Sequence, residues 1–169
     1  MNILAARPYI SRRTRALTPE EQETTRLAYA IKSTACAAVD FDTAGADMAR
    51  LIDGPCWLIP IPDRHDNTDA NAKLAAAIAH HCPGAQTVTA IKRTAPIDSQ
   101  CERHKRKLGA CPVADHHFIR TPRWLTVRPT YFVDNVTTSG NTFRAAHLAL
   151  GFGTGLAFAD ANCRQNHAE

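Results

Sequence analysis

One stretch of the chain gathers the side chains suited to holding a phosphate. Tyr131-Phe132-Val133-Asp134-Asn135-Val136-Thr137-Thr138-Ser139-Gly140-Asn141-Thr142 sets an acid at the end of a short apolar run, then hydroxyl residues around one glycine. A strand ending near Val133 delivers Asp134 at its carboxyl end, where open α/β sheets bind their ligands. A helix starting at Thr142 offers unpaired backbone N–H groups and about half a positive charge to an anion. Thr137, Thr138, Ser139 and Thr142 add hydroxyl donors, and Gly140 lets the backbone come close to a phosphate. Asp134 beside it suits sugar hydroxyls or a water-bridged Mg²⁺. The lysine and spacing of a Walker A loop are missing. An ordinary strand-to-helix turn with a Ser or Thr cap explains a hydroxyl and a glycine, but not an acid followed by Thr137, Thr138, Ser139 and Thr142.

Cations supply the second chemistry. In Pro62-Asp63-Arg64-His65-Asp66 the Arg64 guanidinium is always charged and can hold two phosphate oxygens at once; the plain alternative is a solvated polar turn. Lys92, Arg93, Arg103, Lys105, Arg106 and Lys107 make a basic stretch, either a mobile anion-closing loop or a solvated surface. A second basic cluster is Arg7, Arg12, Arg13 and Arg15. Almost no aromatic residues interleave with these cations, which speaks against nucleic acid as a partner. Cys101, His104, Cys111 and His116 could ligate zinc, but their spacings match no common finger.

Several elements must position these groups. Thr18-Pro19-Glu20-Glu21 is a capping box opening a helix to about residue 32, and a short second helix fits 46–52. Residues 56–61 form a strand buried on both faces. An Ala-rich helix spans 70–81 and stops at Pro83-Gly84. Residues 86–91 alternate as the next strand, and 92–110 read as a loop with a helical turn. A hairpin of 117–120 with 124–127, a strand at 131–133, a helix over 142–150 capped by Gly151, a strand at 154–158 and a polar tail over 162–169 complete the chain. Strand–helix alternation of this kind predicts a mostly parallel sheet of about five strands flanked by helices.

The 169 residues suit one domain. With 44% hydrophobic and 21% charged residues, disorder and fibrous repeats are excluded. No apolar run approaches a membrane span, and residues 1–15 lack the apolar core of a signal peptide, so a cytoplasmic location without membrane partners is expected. There the six cysteines, Cys36, Cys56, Cys82, Cys101, Cys111 and Cys163, read as reduced and mostly buried thiols rather than a disulfide framework. The net charge of +4 points only weakly to anionic ligands.

The segment 131–142 resembles the phosphoribosyl pyrophosphate (PRPP) signature of type I phosphoribosyltransferases, and more of the chain is similar to the ComF-type branch related to amidophosphoribosyltransferases. Trp57-Leu58-Ile59-Pro60-Ile61-Pro62 looks like the P-V-P strand of that branch, Asn71-Ala72-Lys73-Leu74-Ala75 like the helix after its pyrophosphate loop, and Lys92-Arg93, Gln100 and Arg103 like its basic flexible loop. Ala30-Ile31-Lys32 is similar to its lysine segment. The resemblance spans residues 28–160. It implies the type I fold, with a small hood to which residues 1–54 contribute, and transfer of 5-phosphoribosyl from PRPP, as its Mg²⁺ complex, to a nucleobase, amine or ammonia. By the same resemblance Thr137, Thr138, Ser139, Gly140, Asn141 and Thr142 hold the 5-phosphate. Asp134 and Asn135 hold the ribose hydroxyls, Asp134 also holding Mg²⁺ through water. Asp63, Arg64, His65 and Lys32 meet pyrophosphate, and Lys92 and Arg93 neutralise it as it leaves. Homodimers are common among type I relatives. The chain departs from the family in carrying Asn135 where the signature has a second acid, in lacking the ComF-type zinc finger, and in placing Thr138 where purine-salvage members have an acid. Asn135 raises a different class of function: a non-catalytic PRPP- or nucleotide-binding regulator, or a ComF-like accessory of DNA uptake.

Overall fold

The computed structural model describes residues 1–10, 15–122 and 125–162. Arg12, Arg13, Trp124, Cys163 and the side chains of Gln100 and Cys101 lie outside the described set. In chain order the elements are β1 (Ile3–Pro8), α1 (Pro19–Ala30), α2 (Ala38–Ala49), β2 (Trp57–Pro60), α3 (Asp69–His81), β3 (Gln86–Thr87), β4 (Ile91–Arg93), α4 (Gln100–Lys105), a 3₁₀ turn (Val113–His116), β5 (Phe118–Arg120), β6 (Thr130–Thr137), α5 (Asn141–Leu150) and β7 (Thr154–Asp160).

Five strands form one sheet in the order β1-β7-β6-β2-β3, every pairing parallel. The period-2 alternation of buried strands divides their side chains between two cores. Leu58, Val133, Leu156 and Phe158 meet Leu27, Phe41, Met48, Leu74 and Ile78 of α1–α3 on one face. Ile59, Phe132 and Ala157 meet Phe143, Ala146 and Leu150 of α5 on the other. The protein is thus an α/β sandwich with helices on both faces of a parallel sheet. Among the described residues no helix is long and apolar enough to cross a membrane.

Local signals explain much of this. The α1 capping box forms as predicted: Thr18 Oγ1 accepts from Glu21 N–H at 3.3 Å, and Glu21 Oε2 accepts from Thr18 N–H at 2.9 Å. The second helix begins at Ala38, well before the expected 46, because Phe41, Ala44 and Met48 already supply a buried face. Its cap, Ala37, makes no side-chain bond and so left no mark in the sequence.

The expected strand 86–91 is split. Val88 N–H still reaches Leu58 O at 2.9 Å, after which the chain leaves the sheet. β4 instead pairs antiparallel with β5, so the expected hairpin between 117–120 and 124–127 is replaced by this ribbon; Ile91 and Phe118 then join the α5-side core. The N-terminal segment holds an element the sequence did not announce. Residues 3–8 are a strand of the main sheet, with Ile3 opposite Gly155 and Arg7 opposite Ala159, and α2 packs on α3. Among the described cysteines, Cys56, Cys82 and Cys111 are buried free thiols and Cys36 is half-buried.

Candidate functional site

The strand order places a topological switch between β2 and β6. From β2 the chain crosses through α3 to β3 on one side, and from β6 through α5 to β7 on the other. Such a point leaves a crevice at the strands' carboxyl ends. Here the crevice is sharpened by unequal strand lengths. The β2–β6 ladder stops at Pro60 opposite Val133, whereas β6 continues along β7 to Thr137 opposite Asp160. Asp134 is therefore the first residue of β6 beyond β2, four residues before the turn. The expectation of a strand ending at Val133 is corrected accordingly.

A cleft of about 720 Å³ opens at this point. Asp134, Asn135, Thr138, Ser139 and Thr142 line it, together with Lys32, Ser33 and Thr34. The turn after β2 contributes Pro62, Asp63 and Arg64.

Asp134 is held by two donors. Its Oδ1 accepts the Asn135 N–H at 2.8 Å and the Asn71 amide at 3.3 Å. Burial pushes its carboxyl above the usual range, opposed by those two bonds and by the positive charges of Lys32 and Arg93. Asn71, in the first turn of α3, also donates to Ile61 O at 2.8 Å, so one amide ties the end of β2 to the acid of β6. Asn135 turns its own Oδ1 onto Val136 N–H at 2.7 Å.

The phosphate-type turn is Thr138-Ser139-Gly140, and α5 begins at Asn141 with no side-chain cap. Asn141 N–H donates to Ser139 Oγ at 3.3 Å, which leaves the next N–H groups of the first turn to an anion. Gly140 has φ +74°, and a Cβ there would sit 2.7 Å from Ile3 Cδ1. Asn141 braces the turn from behind, its Nδ2 donating to Cys111 O at 2.9 Å. Arg144 donates to Ser139 O at 2.7 Å and to Asn141 Oδ1 at 2.9 Å.

The turn 63–67 is shaped by its own acids. Asp63 Oδ1 accepts from His65 N–H at 2.8 Å and Asn67 N–H at 2.9 Å. Asp66, with φ +66°, accepts from Arg93 N–H at 2.6 Å. Arg64 pairs with Glu102 of α4, Nη1 to Oε2 at 2.7 Å.

The predicted site residues divide into three groups. Lys32, Asp63, Arg64, Arg93, Asp134, Asn135, Thr138, Ser139 and Thr142 converge on the cleft. Thr137 ends β6, Gly140 belongs to the turn and Asn141 opens α5 without lining the cleft, while His65 and Lys92 are exposed outside it. Arg93 lines the cleft in a way the sequence did not suggest. It is only 6% exposed, and its guanidinium donates to the carbonyls of Asp63 (2.8 Å), Pro62 (3.4 Å) and His116. It ties its own strand to the turn at Pro62–Asp63 and to the 3₁₀ turn at His116, with three of its five N–H groups given to carbonyls.

Sequence reasoning weighed His116 and Cys111 only as zinc candidates and did not foresee that both line the cleft. His116 is 3% exposed and stacks on Phe118, and its ring nitrogens make no hydrogen bond of ordinary geometry. Burial, then the neighbouring Arg93 charge, lowers its pKa to about 4 against an opposing contact with the Cys111 backbone, so the ring is neutral at pH 7. Burial raises the Cys111 thiol. Nothing in the local sequence separates these residues from the zinc-like spacing considered above. Among the described residues no three His, Cys, Asp or Glu side chains gather to ligate a metal. A Mg²⁺ at Asp134 would have a single carboxylate and would rely on water and ligand phosphates, which is the usual manner of that ion.

The assembled cleft can bind an anion at the α5 N-terminus and hydroxyls or hydrated Mg²⁺ at Asp134. Lys32 and Arg64 can meet a second anionic group. No protein-family model and no curated protein sequence matches this chain.

Proposed function

We propose that the cleft binds PRPP with Mg²⁺ and transfers its 5-phosphoribosyl group to a nitrogen nucleophile, releasing pyrophosphate. The observation that carries this reading is the set of groups the switch-point cleft brings together: a helix N-terminus with hydroxyls, the acid Asp134, and the cations Lys32 and Arg64. That set suits a ligand that combines a phosphate, sugar hydroxyls and a second, more highly charged group. The parallel sheet with helices on both faces is compatible with the type I phosphoribosyltransferase fold.

In the proposed reaction the C1–O bond to pyrophosphate breaks with its electron pair leaving on oxygen. The nitrogen forms the new C1–N bond and loses a proton. Backbone N–H groups of α5, with Thr138, Ser139 and Thr142, hold the 5-phosphate, and Asp134 orients the ribose hydroxyls. Arg64 and Lys32 neutralise the leaving pyrophosphate, so the chain works by positioning and electrostatic stabilisation. Bound Mg²⁺ supplies further charge neutralisation on the phosphates. Arg93 serves as the clamp that sets the turn 62–64 against the wall at His116.

Calorimetric titration with PRPP, with and without Mg²⁺, tests the ligand, and pyrophosphate release with nucleobases or ammonia tests the reaction. The variant Asp134→Asn should weaken Mg²⁺-PRPP binding by about tenfold, as expected for loss of a charged partner; unchanged affinity would remove Asp134 from the site. Asn135 favours a second reading, a non-catalytic PRPP or nucleotide sensor, because it leaves Asp134 without a second carboxylate to steady a developing cation. Saturable binding without pyrophosphate release under any acceptor would select that reading.

A further inference from the structure

Resting on the reading that Arg64 serves the diphosphate end of the ligand, we infer that Glu102 is an internal occupant of that subsite, a carboxylate the ligand must displace. The contact bridges two distant segments. Arg64 belongs to the turn after β2 and Glu102 to α4, and their Nη1–Oε2 separation is 2.7 Å. Both side chains are roughly half exposed, at 42% and 46%, so an incoming anion can reach the pair.

The Glu102 carboxylate is also preset. It closes the α4 capping box, accepting Ser99 N–H at 2.7 Å while Ser99 Oγ accepts Glu102 N–H at 3.1 Å. Ile97 N–H reaches Arg64 O at 3.3 Å, aligning the approach to α4 with the turn. Ile97, Asp98 and Ser99 line the same cleft, so the strap carrying Glu102 is a wall of the site and not a remote surface. The bonds to Ser99 lower the Glu102 pKa to about 2, with Arg64 adding to the effect; the competitor is charged at any working pH.

Glu102 already takes one Arg64 N–H through Oε2, so a diphosphate that grips the guanidinium with a pair of oxygens meets an occupied donor and a second negative charge. A ligand needing Arg64 binds more weakly by the factor of this internal competition, whereas one seated only at the α5 turn does not. Glu102 thereby discriminates between anions by where they bind. Lys32 is not gated this way; its ammonium lies 5.3 Å from the Tyr29 ring centroid.

The test is calorimetry on the full chain with two probes, Mg²⁺-pyrophosphate and ribose 5-phosphate, for the wild type and Glu102→Gln. Glutamine retains the capping box but removes the charge. Pyrophosphate should bind more tightly to the variant, by up to about fivefold given the half-exposed pair, with ribose 5-phosphate unchanged. A merely structural role for Glu102 would leave pyrophosphate affinity level or lower it, and either result overturns the inference. In an Arg64→Ala background Glu102→Gln should have no effect on pyrophosphate; a persisting gain also overturns it. Failure of the wild type to bind either probe would sink the phosphoribosyl reading itself and the inference with it. Binding of ribose 5-phosphate alone would remove Arg64 from the diphosphate role while leaving the α5 turn in place.

Discussion

His116 is a buried imidazole whose ring nitrogens make no hydrogen bond of ordinary geometry. The ordinary histidine pKa of about 6.5 applies in the unfolded chain, against about 4 in the fold. Between those values the unfolded state binds more protons, so stability falls as pH drops through 6.5 towards 4 and is fully present above that window. The wild type should lose about 2 kcal/mol between pH 7 and pH 5 from this group. Urea denaturation at the two pH values checks it: His116→Phe should show that much less pH dependence, and equal slopes would mean the ring finds a partner. Asp134 is poised differently. Burial raises its pKa, so Asp134→Asn should be no less stable than wild type, and could gain up to about 1 kcal/mol, while losing Mg²⁺-PRPP affinity. Thermal melts beside calorimetry separate the two effects. The acid itself was readable from its place after an apolar run. Asn71 and His116 were not, because their roles arise from contacts with Ile61, Asp134, Arg93 and Phe118, which are remote in sequence.

Helices and turns with a local chemical signature could be read from the chain; those assembled by packing could not. The α1 capping box and the Gly151 stop of α5, at φ +91°, are built from adjacent residues. The start of α2 and the β4–β5 ribbon depend on partners across the fold, and periodicity alone misplaced both. Gly45 shows what that packing demands: a Cβ there would lie 2.7 Å from the backbone carbon of Ala77 in α3. Gly45→Ala should therefore push α2 off α3 and cost about 1–3 kcal/mol, read as a lowered denaturation midpoint. At the α5 turn two strains are separable. Gly140→Ala adds both the Ile3 clash and a side chain at positive φ, the latter worth about 1–2 kcal/mol. Ile3→Val removes the Cδ1 atom and should recover the clash but not the backbone term. Full recovery by Ile3→Val would show that the left-handed turn is not what requires glycine.

The site exists because strands of unequal length meet where the sheet reverses its direction of growth. The alternation of strands and helices, and the stretch that would supply the acid and hydroxyls, were readable from sequence. The reversal itself was not, since it depends on which strand lies beside which. The least visible strand was β1, whose ILAARP sequence has neither strict alternation nor turn signals around it. Its pairing has a consequence for how the molecule comes into being. Among the described strands β1 comes first, yet its partner β7 comes last, with Ile3 set against Gly155 and Pro8 against Asp160. A nascent chain leaving the ribosome must carry β1 unpaired until β7 emerges, and contacts of such long sequence separation slow folding and leave strand edges exposed meanwhile. A chain ending at residue 150 should accordingly remain protease-sensitive, and appending residues 151–162 should bring protection in one step. The strand made earliest is the last to find its neighbour.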